Sequence, residues 1–195
     1  MLDIPLFDRT SNGNCGFLGF RMCQNRLAVA VLSYIIEQGK FARVIELGTQ
    51  LGGLTALLGL QCRMQDVEMY TFDVQATSPY VEWLHLFGVH YQLGNIFSGE
   101  GVTAIRSLIE APGRVLLLCD NGDKIRELHT FAPFLKTDDL IGAHDYQPDA
   151  DCDEKRWGWH EVRDADVKSI CEEHHLASYL PAACAEAAWL MRIKQ

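Results

Sequence analysis

Apolar and polar positions along the chain change period several times, and each change marks an element. Between residues 24 and 38, Leu27, Val29, Val31, Leu32, Ile35 and Ile36 make one apolar helical face, and Gly39 closes it. Val44 and Ile45 then open a short apolar strand that runs into Glu46-Leu47-Gly48, with further glycines at 52 and 53. Residues 54–60 read as a helix. A buried strand, a glycine turn and a helix start form the first unit of a nucleotide-binding α/β fold.

Strands and helices alternate from there. The pattern predicts strands over 68–73, 89–92, 114–119 and 138–145, separated by helices over 79–87, 100–110 and 124–135. The stretch 114–119 is almost wholly apolar, as suits a central parallel strand covered on both faces. A helix capped by Asp164 runs to about residue 173, and strands over 176–180 and 187–193 finish the chain. Residues 1–22, mixed and rich in Gly and Asn, read as an irregular N-terminal arm. The expected fold is α/β, a Rossmann-like three-layer sandwich whose seven-stranded sheet is mostly parallel with an antiparallel last strand. Residues 1–195 read as a single domain. The segment 147–160, polar and then aromatic at Trp157 and Trp159, reads as an insertion able to cover a site.

Composition narrows the function classes. A chain of 195 residues with 48% hydrophobic and 22% charged content is ordinary globular material. A net charge of −9 argues against non-specific binding to nucleic acid or to an anionic membrane. The seven cysteines form no C-x-x-C pair, and several sit in apolar runs. They read as reduced thiols of a cytoplasmic protein rather than as a disulfide framework or a zinc site. The first residues carry no signal-peptide pattern and no stretch is long and apolar enough to span a bilayer.

Candidate chemistry gathers where the strands end. The glycines of the 48–53 loop let the backbone approach a ligand, and the helix that follows presents unpaired N–H groups. Asp73 ends the second strand about 20 residues beyond the glycines, where a carboxylate can accept both ribose hydroxyls of a nucleoside. Asp120 ends the fourth strand and His144-Asp145 the fifth. The β-α alternation puts all of these on one sheet edge, where such sheets bind ligands.

The loop reads E-x-G-T-x-x-G-G, not the G-x-G-x-x-G of dinucleotide sites, and it resembles the first motif of class I S-adenosylmethionine (SAM) dependent methyltransferases. Further stretches carry the resemblance across nearly the whole chain: Gly19 to Gln24, Leu118-Cys-Asp-Asn-Gly-Asp123 with Glu127-Leu128, and Asp139 to Asp145. Together they resemble the cephalosporin hydroxylase-like branch, and more distantly catechol O-methyltransferase. The resemblance implies SAM held by Glu46 (tying the loop's backbone), Gly48, Thr49, Gln50, Gly52, Gly53, Asp73, Val74, Asn95, Ile96 and Asp120. It also implies a divalent ion, usually magnesium, on Asp120 and Asp145, with His144 third. The implied reaction is O-methylation of a small molecule lying between the fifth strand's end and residues 157–160.

Two positions depart from the family. His144 stands in place of a glutamate and Asp123 in place of a histidine. An imidazole ligand suits manganese, iron or zinc better than magnesium. Three roles are therefore open for His144: metal ligand, general base deprotonating the acceptor without an ion, or structural residue. Lys124 is a further candidate base, expected on an exposed helix turn. The competing functions are a SAM-binding module without turnover that acts through a partner, and a nicotinamide oxidoreductase, which the loop spacing disfavours. Whether the protein is a homo-oligomer is open.

Overall fold

The computed structural model describes residues 7–9, 15–75, 81–148 and 161–195. Strands β4 (Arg43–Leu47), β5 (Glu68–Asp73), β6 (Val89–Leu93), β7 (Val115–Cys119), β8 (Leu140–His144), β9 (Leu176–Ser178) and β10 (Trp189–Lys194) form one sheet in the order β6-β5-β4-β7-β8-β10-β9. The pairs among β4 to β8 are parallel, and β10 lies antiparallel between β8 and β9. This is the expected Rossmann-like sandwich with its antiparallel last strand.

The sheet has helices on both faces because its central strands feed two cores by alternation. All five residues of β7 are buried. Leu116 and Leu118 join Val44 in a core shared with α1 (Arg26–Gly39) and α2 (Gly53–Met64). Val115, Leu117 and Cys119 join Ile45 and Leu47 in a second core with α3 (Gly99–Glu110), α4 (Lys124–Phe131) and α5 (Asp164–Glu173). Strands apolar on both faces are what a doubly covered parallel sheet requires.

Several expectations are corrected. The stretch read as an irregular arm holds three short strands, β1 (Phe7–Arg9), β2 (Cys15–Phe17) and β3 (Phe20–Met22), paired antiparallel. Strands of three residues are too short to show a period, but Cys15, Phe17, Phe20 and Met22 bury their side chains in the first core. In α1 the buried stripe is Ala28, Leu32, Ile35, Ile36 and Gly39, and Leu27 faces solvent. The left-handed residue ending α1 is Lys40 (φ 50°). Gly39 serves packing instead, since a Cβ there would lie 2.0 Å from the Phe41 ring.

The helix expected over 124–135 stops at Phe131 and tightens into a 3-10 turn at Ala132–Phe134. Pro133 has no N–H to continue the α ladder. The strand expected over 138–145 is shorter because Asp138 (φ 72°) and Asp145 (φ 55°) are left-handed at either side of it. Arg163, not Asp164, holds the cap position of α5, and its N–H donates to Asp166 Oδ2 (2.8 Å). Asp164 instead accepts from the Tyr146 hydroxyl and from Arg192. A short helix not expected from the pattern, α6 (Pro181–Glu186), separates the last two strands. The helix expected over 79–87 is a 3-10 segment, Val81–Phe87, with residues 76–80 outside the description. No helix among the described residues is long and apolar enough to cross a membrane.

Candidate active site

Register places the candidate residues side by side. Leu47 pairs with Phe72 on one side and with Cys119 on the other, and Cys119 pairs with Ala143. One residue further on, Asp73, Gly48, Asp120 and His144 therefore follow one another along the carboxyl edge. Backbone bonds hold the row, from Gly48 N–H to Phe72 O and from Asp120 N–H to Leu47 O, both 2.8 Å.

The loop glycines answer first to the chain itself. At Gly48 (φ 99°) a Cβ would sit 2.3 Å from the Asp120 carbonyl oxygen, so only glycine lets the loop pass the end of β7. At Gly53 a Cβ would meet the Arg21 carbonyl at 2.4 Å, where α2 starts against β3. Gln50 takes a left-handed φ of 47°, and its N–H donates to Asp73 Oδ2 (2.8 Å). A cleft lined by this loop, Glu46, Asp120, Arg21, Cys23 and Gln24 joins the glycine turn to the end of β7.

Glu46 does not tie the loop's backbone as expected. Its Oε2 accepts from the hydroxyls of Thr55 (2.6 Å) and Thr71 (2.7 Å), and Thr71 in turn meets the Thr49 hydroxyl (2.7 Å). Loop, α2 and β5 are thus joined through one buried carboxyl. Burial pushes Glu46 up to about 8, and the two threonine hydroxyls only partly oppose it. Among the other cofactor candidates, Val74 is exposed, the Asn95 side chain accepts from Phe97 N–H, and Ile96 is buried in the second core. Ile96 can offer a ligand only its backbone.

At the other end of the cleft a polar network crosses the sheet. Trp189 Nε1–H donates to Gln24 Oε1 (3.0 Å), which turns the amide nitrogen of Gln24 towards Asp120 Oδ2 (3.0 Å). An indole can only donate, so the amide orientation is determined. His144 Nδ1 lies 3.2 Å from Asp120 Oδ1, 3.3 Å from the Gln24 nitrogen and 3.5 Å from Asp145 Oδ1. The charge-assisted bond to the carboxylate is the stronger, so Nδ1 carries the proton and Nε2 the lone pair. Burial works to lower the His144 pKa, but Asp120 and then Asp145 outweigh it and raise the imidazole above its ordinary value.

Lys124 corrects the expectation of an exposed residue. It is 5% exposed, and its ammonium lies 2.6 Å from Glu161 Oε2, 3.2 Å from Asp145 Oδ2 and 3.5 Å from Asp120 Oδ1. Burial works to lower its pKa, yet the three carboxylates together raise it well above the ordinary lysine value. A permanently charged ammonium is no general base. Asp123, the other departure from the family, caps α4 by accepting from Arg126 N–H. Glu127, buried below it and pushed up by burial to about 7, accepts from the N–H groups of Asn121 and Asp123.

Sequence reasoning left Gln24, Trp189 and Glu161 without roles. Gln24 is marked only as the end of the 19–24 stretch that carries the resemblance, and no local pattern marks Trp189 or Glu161, since each reaches the site from a distant element. Residues 149–160, including Trp157 and Trp159 of the expected cover, lie outside the described residues.

No protein-family model and no curated protein matches the chain. Among solved structures, the apo form of CmcI superposes with a TM-score of 0.68 at 12% identity, over 92% of this chain and 76% of that one. The Mg-SAM form of CmcI gives 0.63 at 14% identity, over 89% and 74%. An O-methyltransferase family protein from Burkholderia thailandensis gives 0.56 at 12% identity, over 86% and 54%. The chain has the fold of these proteins.

Proposed function

We propose that this chain is a SAM-dependent methyltransferase that acts on an oxygen of a small-molecule acceptor, with residues 1–195 as one catalytic domain. The observation that carries the reading is the joined pair of Asp73 and the 48–53 loop at the carboxyl edge of a methyltransferase-type sheet. Asp73 uses one oxygen on Gln50 N–H and the other on Gln75 N–H. A carboxylate offers about four acceptor sites, so about two are left for the ribose hydroxyls. Neighbours with this fold include the Mg-SAM form of CmcI and an O-methyltransferase family protein.

Bound SAM supplies an electrophilic methyl whose transfer to a nucleophilic oxygen leaves S-adenosylhomocysteine (SAH). The residues in the cleft orient that exchange. Gly48, Thr49, Gln50, Gly52 and Gly53 bring backbone amides to the cofactor, and Asp120 borders both it and the acceptor. His144 Nε2 takes the acceptor's hydroxyl proton while Asp120 holds the ring through Nδ1. Asp120, His144 and Asp145 also offer ligand atoms within 4.8 Å of one another, and a divalent ion there would share Asp120 and Asp145 with the Lys124 ammonium. These three residues would hold the ion, and it would supply Lewis-acid polarisation of the acceptor oxygen.

Calorimetric titration with SAH tests the reading. Wild type binds, and Asp73→Ala weakens binding by about 10- to 100-fold, the loss of hydrogen bonds to a charged group. An unchanged melting temperature in that variant keeps the loss assigned to the ligand. Absence of SAH binding by wild type would overturn the proposal.

A further inference from the structure

Building on the methyl-transfer reading of this edge, we propose that Lys124 is a built-in cation that serves Asp120 and Asp145 in place of a divalent ion. Its ammonium is what keeps metal affinity at this site low.

The placement of Lys124 argues for this. It is the first residue of α4, next to the positive end of the helix dipole, where a cation is disfavoured. Its side chain is also buried, which costs free energy for a charge without partners. Neither helix formation nor packing selects a lysine there. The carboxylates do, and they come from three separate segments: Asp120 at the end of β7, Asp145 just past β8, and Glu161 before α5. Glu161 is brought there by the backbone, its N–H donating to the Asp145 carbonyl (2.8 Å). Asp145 keeps its left-handed φ of 55° beside the ammonium. Two of the acids are thus placed by strand ends and the third by a backbone bond to one of them, and the lysine is set among them.

The ammonium donates a hydrogen bond to Glu161 and is ion-paired with Asp145 and Asp120, so its contribution is charge rather than a hydrogen bond to the acceptor. Two of those neighbours, Asp120 and Asp145, are also two of the three residues able to hold an ion. A dication bonded to their oxygens would sit against the ammonium at short range, and like charges repel strongly where water is scarce. Ion and ammonium therefore compete for the same two carboxylates. Glu161, at the shortest distance of the three, anchors the lysine on the outer side of the cluster.

The test is manganese binding, followed by calorimetry and by the electron paramagnetic resonance signal of free Mn²⁺. Wild type binds no tighter than about millimolar. Lys124→Met, close in length but uncharged, binds at least about tenfold tighter, while Lys124→Arg, which keeps the charge, stays weak. Micromolar Mn²⁺ binding by wild type, or no gain in Lys124→Met, would refute the proposal. The wild-type arm decides even where Lys124→Met fails to fold. SAH titration of the same samples separates the two readings. SAH binding with the manganese contrast absent sinks the role of Lys124 alone, and lack of SAH binding sinks the methyl-transfer reading alone.

Discussion

Replacing Glu46 by glutamine isolates the buried carboxyl that joins the loop to the sheet. Glu46 is 1% exposed, and burial raises its pKa from 4.5 to about 8. Below pH 4.5 the group is protonated folded and unfolded, and it affects stability equally in both. As pH rises, the unfolded chain ionises first, so stability falls until the folded carboxyl ionises near pH 8. At 1.36 kcal/mol per pKa unit, the penalty is about 3 kcal/mol at pH 7 and about 5 kcal/mol above pH 8. Glutamine copies the neutral acid's shape and keeps a carbonyl oxygen for the Thr55 and Thr71 hydroxyls, but it never ionises.

Glu46→Gln is therefore expected to match wild type to within about 1 kcal/mol at pH 5 and to gain about 3 kcal/mol at pH 7. For a chain of this size that gain raises the melting temperature by roughly 6–12 °C. Urea or thermal unfolding of both proteins at pH 5, 7 and 8.5 measures it. A difference that does not change with pH would refute the reasoning, because it would mean Glu46 has the same pKa folded and unfolded. A loss of stability that grows as pH rises would mean that the folded protein holds Glu46 as a carboxylate.

Two further substitutions probe the site's frame. Gly48→Ala adds a Cβ 2.3 Å from the Asp120 carbonyl at a φ of 99°, and should cost at least about 2 kcal/mol, read from the denaturant midpoint. Gln24→Leu strands the Trp189 indole N–H and frees Asp120, at a cost of about 1–3 kcal/mol. On the proposed function, it should lower the methyl-transfer rate more than SAH affinity, since Gln24 touches Asp120 and His144 but only borders the loop. A loss of SAH affinity as large as the loss of rate would refute that division.

What the chain declares in advance follows from the range of the forces involved. The strand at 68–73 is legible to the residue because an apolar run ends at a charged residue, and the glycine loop is legible because backbone geometry leaves no other residue at Gly48. Both are local. The three strands before residue 23 are not legible, since each is only three residues long and its partners lie across turns. Likewise Gln50 and Asp145 carry left-handed backbones that no glycine advertises.

Lys124 shows the same limit at the level of charge. A lysine at the start of a helix is exposed by default, and of the acids within four residues Asp123 and Glu127 are taken up by backbone N–H groups, which leaves Asp120. The compensation comes from Asp145 and from Glu161, 37 residues away, placed by the bond between Glu161 N–H and the Asp145 carbonyl. The motif that points to an ion-binding edge is made of Asp120, His144 and Asp145 alone, and it does not include the residue already supplying a positive charge. On the role proposed for Lys124, whether this edge runs on a dication or on an ammonium is decided by a contact outside the motif. Chains that share the strand-end acids can therefore differ in metal requirement, and the side chain four residues beyond the fourth-strand aspartate is the first place to look for the reason.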